Sequence, residues 1–204
     1  MLPLEAVTLE GAFVRLVPLS VDHIDGLCVV GLDPDIWRWM PLQIRNPAGM
    51  RAFVEESLEG WRTGTALPFA TTLRETGDVV GATRFMSLAL AHRRLEIGGT
   101  WLGRAWQRTR VNTESKYLML RYAFEQLGCQ RVEFKTHAGN VKSREAILRL
   151  GAVEEGTFRK HMLQQDGSSR DSIYFGIVDD DWPAVKKALE ARLTVQSPDA
   201  GIPY

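Results

Sequence analysis

Two hydrophobic periods share this chain. Near the start, Val7-Thr8-Leu9 and Phe13-Val14-Arg15-Leu16-Val17 flank Glu10-Gly11, the spacing of a hairpin. Ser20 reads as an N-cap for a helix reaching about Gly31, and Asp33-Pro34-Asp35 opens a short helical turn carrying Ile36, Trp37, Trp39 and Met40. From about Ala48 to Trp61 the residues Met50, Phe53, Val54, Leu58 and Trp61 recur near helical spacing. The pattern then turns to strands. Pro68 to Leu73 and Val79 to Leu88 surround the turn Glu75-Thr76-Gly77-Asp78, and a third strand runs from Leu95 to Leu102. A helix from Thr113 to Leu127 offers Tyr117, Leu120, Phe124 and Leu127 to a core and Lys116, Arg121 and Glu125 to water, with Gly128 at its C′ position.

The same punctuation continues to the end. Arg131 to Thr136 alternates as a strand, and Asn140 caps a helix from Val141 to Leu150 that Gly151 stops. Strands from about Thr157 to Leu163 and Asp171 to Val178 are joined by Gln165-Asp166-Gly167-Ser168, and Trp182 to Leu193 closes as a helix. No repeat or linker divides the chain. The pattern predicts one α/β (α+β) domain over residues 1–193, a mixed and mostly antiparallel sheet flanked by helices, with 194–204 as a flexible tail.

Composition narrows the classes. Hydrophobic residues make up 45% of the 204 and the formal net charge is zero, so a real core is expected and the electrostatic footprint of a nucleic-acid binder is missing. No apolar run approaches the roughly 20 residues of a membrane helix. Met1 to Glu5 lacks the basic-then-apolar order of a signal peptide, and Cys28 and Cys129 form no motif, which reads as free thiols in a reducing cytoplasm. His23, His92, His137 and His161 show no metal-ligand spacing, so no metal is expected; His137 or His161 enters only as an incidental base near a cleft. Gly98-Gly99 and Gly103 precede Arg104-Ala105 rather than Lys-Ser/Thr, and no Gly-x-Ser-x-Gly elbow occurs, which excludes a nucleotide hydrolase of the P-loop type and an elbow-type serine hydrolase.

The segment Trp106-Gln107-Arg108-Thr109-Arg110-Val111-Asn112-Thr113-Glu114 lies between the third strand and a helix. Unpaired N–H groups at a helix N-terminus make an anion site, so this loop points to a phosphate-bearing ligand. Arg108 and Arg110 stand where glycine would be easiest. A Cβ at positive φ costs roughly 1–2 kcal/mol, while each guanidinium offers charge-assisted hydrogen bonds to phosphate.

Three segments together resemble the GNAT N-acyltransferase superfamily, and within it the RimJ/RimL-like branch, over roughly residues 8 to 190. They are the loop Gln107 to Glu114, where the family has Gln/Arg-Gly-x-Gly-x-Ala (or Gly) and then Thr-Glu; Asn140-x-x-Ser143 followed by Leu150-Gly151-Ala152-Val153; and the closing strands around Asp166-Gly167, with Arg170-Asp171 and Tyr174. The resemblance implies that acetyl-CoA is the co-substrate. It implies that Gln107, Arg108, Thr109, Arg110, Val111, Asn112 and Thr113 hold its pyrophosphate, and that backbone from Gly98 to Leu102 pairs with pantetheine and polarises the thioester carbonyl. It also implies that Asn140 and Ser143 meet the far arm of the cofactor or its sulfur, with Ser143 as a weak acid for the thiolate.

Residue chemistry sets simpler readings beside these. Asn140 is by default an N-cap and Ser143 an ordinary helical serine. Glu96 could take a proton from an acceptor amine through water, although a strand-surface ion pair is the simpler reading. Glu114 suits the helix dipole. Trp37, Trp39 and Met40, with Phe85, could wall an acceptor pocket, or be core beneath a short helix.

Direct attack on a thioester needs a neutral amine. An α-amine of pKa near 7.7–8.0 is neutral in roughly a tenth of molecules at pH 7, a lysine in well under one in a thousand. The expected function is therefore acetyl transfer to a primary amine, a protein N-terminus or a small molecule, in a ternary complex. A second reading keeps the fold as a binding or regulatory domain without turnover, because arginines replace the loop glycines; a third keeps catalysis with another acyl-CoA. Exposed edge strands in the closing hairpin leave room for a homodimer.

Overall fold

The structure is a computed structural model that describes residues 5–195. Strand β1 (Leu9–Glu10) and β2 (Val14–Pro18) form the opening hairpin, and a 3-10 turn at Val21–His23 leads into α1 (Ile24–Gly31), α2 (Pro34–Trp37) and α3 (Pro47–Arg62). Strands β3 (Ala66–Leu73), β4 (Val79–Ala89) and β5 (Arg94–Leu102) follow, then α4 (Arg110–Arg121), widened into a π-turn at Tyr122–Gln126. The chain ends with β6 (Arg131–His137), α5 (Val141–Leu148), β7 (Val153–Leu163), β8 (Ser169–Val178) and α6 (Trp182–Val195). Thr194 and Val195, expected in a tail, belong to α6, and 196–204 lie outside the described residues.

All eight strands form one sheet in the order β1-β2-β3-β4-β5-β6-β8-β7. Every neighbouring pair is antiparallel except β5 and β6, which are parallel. The two faces of the central strands, with register shifts on β4 and β5, feed two cores. Phe69, Leu95, Ile97 and Phe134 face one side, under α4 and α6, while Ala70, Ala82 and Trp101 face the other, under α1 and α3. The four residues expected to share an acceptor pocket are divided by this arrangement. Trp37 is fully buried against Trp101 and Phe53 in one core, and Phe85 is fully buried against Phe69 and Tyr122 in the other, so neither offers a surface to a ligand.

Helix α4 begins at Arg110, three residues before the expected Thr113. Both Thr109 and Asn112 are capping types, and Thr109 takes the role: its Oγ1 accepts from Val111 N at 3.3 Å and donates to the Trp106 carbonyl at 2.8 Å. The polar face also differs. Lys116, expected in water, is 5% exposed, and its Nζ donates to Thr83 Oγ1 at 3.2 Å and Thr100 Oγ1 at 2.5 Å, hydroxyls on β4 and β5. Burial lowers its pKa from 10.5 to about 7. The unfolded lysine therefore binds a proton that the folded one refuses between about pH 7 and 10.5, so stability gained from deprotonation rises with pH across that window. Lys116→Met leaves the 2.7 Å Thr83–Thr100 hydroxyl bond in place and removes the penalty. Urea unfolding is expected to show the variant most favoured over the parent at or below pH 7, the gap closing toward pH 10; a pH-independent gap would contradict this.

Candidate active site

Strands β5 and β6 are paired at only three positions, Arg94 with Arg131, Leu95 with Val132 and Glu96 with Glu133. Beyond Glu96 the ladder stops. Gly99 takes φ +58°, and the register against β4 shifts between Ala82 and Arg84. A bulge of this kind bends a strand away from its neighbour. The second half of β5, from Gly98 to Leu102, is thus left without β6 pairing, and the loop to α4 starts at its end. A parting of parallel strands at their carboxyl ends, beside a helix N-terminus, is where an α/β sheet accepts a ligand.

The loop residues can be placed individually. Gln107 Nε2 donates to the Leu102 carbonyl at 3.1 Å, tying the loop to the end of β5. Arg108 is exposed and carries φ +64°, so the first of the two non-glycine positions is the one that bears backbone strain. Arg110 is the first residue of α4, and its guanidinium lies over the Phe13 ring. Asn112 and Thr113 are half-buried in the first turn, whereas the Val111 side chain belongs to the core. Removing the Arg108 strain should stabilise the chain by roughly 1 kcal/mol in Arg108→Gly. If the side chain leaves the anion site open, as its exposure implies, the variant binds acetyl-CoA no more tightly than the parent. A tenfold gain by calorimetry would show that the arginine obstructs the loop.

Glu114 is buried, but its task is not the helix dipole. Its carboxylate accepts from the N–H groups of Ala12, Phe13 and Val14 at 2.7–2.8 Å, gripping the β1–β2 hairpin from the second turn of α4. A Cβ at Gly11 would meet that carboxyl at 2.5–2.8 Å.

At the vertex of the parting strands, Glu96 is 3% exposed. Its Oε2 accepts from Ser87 Oγ at 3.2 Å and lies 3.4 Å from Lys135 Nζ. The carboxylate helps line a basin of about 630 Å³ with Ser87, Glu133, Phe158, His161 and Tyr174. An ion pair is present, then, but buried rather than on the surface. A groove of about 720 Å³, lined among others by Glu56, Glu59, Arg84 and Met86, shares Ser87 with the basin, so the two depressions adjoin beside Glu96.

Across the parting, Asn140 caps α5, its Oδ1 accepting from Ser143 N at 3.1 Å, and both side chains are half-buried. Trp39 reaches this corner: it packs on His137 with ring centroids 4.8 Å apart and against Gly139, where a Cβ would sit 3.0 Å from the indole. Met40 is half-buried beside it. Of the four residues expected to wall a pocket, only Trp39 and Met40 keep partly exposed side chains. Two residues that the sequence marked only as part of the closing strands also reach this region. Arg170, 5% exposed, donates to the Trp39 carbonyl at 3.4 Å, and its Nε finds no partner among the described residues. Tyr174 Oη lies 3.3 Å from His161 Nε2.

A family model for the acetyltransferase (GNAT) domain matches residues 14–153. The chain belongs to the GNAT acetyltransferase family. It is 28% identical over 143 residues to a provisionally named ribosomal N-acetyltransferase, YdaF, of Bacillus subtilis (strain 168), covering 69% of this chain and 77% of that protein. A GCN5-related N-acetyltransferase from Brucella melitensis superposes with a TM-score of 0.88 at 30% identity, over 98% of this chain and 92% of the other. RimJ of Mycobacterium smegmatis, solved in complex with CoA-disulfide, shares the fold with a TM-score of 0.81 at 21% identity, over 94% and 97% of the two chains. The protein is thus an acetyl-CoA-dependent acetyltransferase. Among the described residues no cluster of His, Cys, Asp or Glu could hold a metal, and no helix is long and apolar enough to cross a membrane.

The residues present fit the co-substrate. The helix N-terminus lies beside the unpaired half of β5, its flanking arginines have the sign a pyrophosphate requires, and the Arg108 side chain is exposed rather than folded into the loop.

Proposed function

We propose that the chain moves an acetyl group from acetyl-CoA to a primary amine, a protein N-terminus or a small-molecule amine, by direct attack in a ternary complex. The observation that carries this is Glu96, a buried carboxylate at the vertex where β5 and β6 part, opening on a basin wide enough for an acceptor. Backbone N–H groups of the loop from Gln107 to Thr113, with Arg108 and Arg110, would hold the pyrophosphate, and backbone near Leu102 the pantetheine. When bound, acetyl-CoA supplies the activated acyl group as a thioester.

The chain's own residues then do three things. Glu96 attracts the acceptor's ammonium and accepts its proton through water. Lys135 and Ser87 hold that carboxylate in place. Ser143, set by the Asn140 cap, hands a proton to the departing sulfur. Trp39 and Met40 border the acceptor side. An α-amine needs the least help to lose its proton, and the name of the Bacillus relative favours a protein N-terminus. Free thiols at Cys28 and Cys129 fit a cytoplasmic enzyme. Exposure of the edge strand β7 along nearly its whole length supports the homodimer included in this reading.

Incubation with acetyl-CoA and a panel of peptides and amines, followed by thiol release and product mass, tests the proposal. Acetylation confined to lysine side chains, or hydrolysis without an acceptor product, would overturn it.

A further inference from the structure

We propose that His161, steadied by Tyr174, carries the acceptor's proton from Glu96 to solvent. The inference rests on the acetyl-transfer reading above. Each ammonium acceptor brings two protons that must leave nitrogen. One ends on the departing sulfur as the N–C bond forms and the C–S bond breaks; the other passes to Glu96 and must reach water before the next turnover. Glu96 is 3% exposed and touches a serine hydroxyl and a lysine cation, neither of which takes a proton readily.

His161 is placed for this by a specific irregularity. Phe158 and His161 are three residues apart on β7 and would face opposite sides of a regular strand. Lys160 adopts φ +49° with its N–H bonded to Asp171 Oδ1 at 2.6 Å, and the register against β8 shifts between Phe158 and Met162. This bulge brings both rings onto one side, where they pack with Tyr174: Phe158 lies 4.8 Å and His161 5.5 Å from the tyrosine ring, and both line the basin that holds Glu96. A strained non-glycine residue that re-aims a titratable side chain into a pocket is the signature of a functional position.

The imidazole stands among charges of both signs, so a proton it takes is readily given up to water. Partial burial lowers its pKa from 6.5, and Lys135 from β6 and Arg170 from β8 push the same way, opposed by Glu96 from β5. Arg131, Glu133 and Glu155 in the same basin are engaged with one another. The ring is exposed to solvent, and Glu96 is among the charges that act on it.

Two measurements test the relay. In the protein without acetyl-CoA, the His161 ring is followed by NMR through a pH titration in the parent and in Glu96→Gln; the midpoint is expected to fall in the variant, which lacks the charge that holds it up. An unchanged midpoint would overturn the proposal without touching the acetyltransferase reading. In turnover, His161→Gln is expected to lose roughly 10²-fold in kcat with acetyl-CoA affinity unchanged, and added imidazole to restore part of the rate in His161→Ala. Parental kcat and an unaltered pH profile in His161→Gln would overturn it too. Failure of the parent chain to acetylate any amine would overturn the reading on which the relay rests, and the relay with it.

Discussion

Glu96→Gln is expected to lower kcat by about 10²–10³-fold while leaving the affinity for acetyl-CoA within a factor of three, the range that loss of a positioned general base produces. Glutamine has the volume of the acid and keeps an oxygen for Ser87 Oγ, so the packing at the vertex is retained. What disappears is the negative charge facing Lys135 and the only carboxylate that the ladder places at its last β5–β6 pair on β5. Thermal unfolding should change little, because the freed Lys135 side chain is 14% exposed and can reach water. A variant that turns over within threefold of the parent would remove Glu96 from the chemistry and leave it as half of a structural ion pair.

The second large effect falls on stability. Glu114→Ala removes a carboxylate that accepts three backbone N–H bonds at 2.7–2.8 Å, those of Ala12 and Phe13 partly buried and that of Val14 buried. Hydrogen bonds to a charged group are worth about 1.5–3 kcal/mol each, and a buried donor left alone costs about 1–3 kcal/mol. Water can serve the two outer donors, so the net loss is expected at about 3–5 kcal/mol, or roughly 10 °C in Tm for a chain of this length. The damage should reach the cofactor loop as well. The same hairpin supplies Phe13 beneath the Arg110 guanidinium, so hairpin and helix start are held as a unit. Urea and thermal unfolding measure the first effect and acetyl-CoA affinity the second; a loss under 1 kcal/mol would show that the hairpin finds its hydrogen bonds elsewhere.

Much of the frame was readable in the chain because its signals are local. β3, β4 and β5 begin and end within about two residues of the strands that alternation and turn residues predicted, and the Asn140 cap was legible from the residue type alone. Where the reading failed, the deciding partner was distant in sequence. Lys116 looks like a solvated face until Thr83 and Thr100 meet it from two strands. Glu114 suits a helix dipole until the hairpin 100 residues earlier closes on it. Trp37 and Phe85 are aromatic in the same way, and only the assembled fold, with α2 packed on one face of the sheet and Phe85 of β4 turned to the other, sends them to opposite cores.

The site shows the same division. The loop from Gln107 to Thr113 announced itself through a strand on one side and a helix on the other, although the helix start at Arg110 depended on Thr109, whose hydroxyl bonds the Trp106 carbonyl. Which side Glu96 faces is a matter of parity, one residue of register either way, and the ladder settles it toward the basin. The chain marked His161 only as an incidental base near a cleft, on a par with His137. The bulge at Lys160 that turns it toward Phe158 and Tyr174 has no mark in the residue pattern.

Calorimetric titration of the purified chain with acetyl-CoA tests the central claim most directly, since every proposed role depends on that loop accepting a pyrophosphate beside Arg108 and Arg110. Micromolar binding at one site per chain is predicted, weakening as salt screens the two arginines. Absence of binding up to millimolar acetyl-CoA would contradict the account, and would mean that the parting of β5 and β6 serves a different ligand.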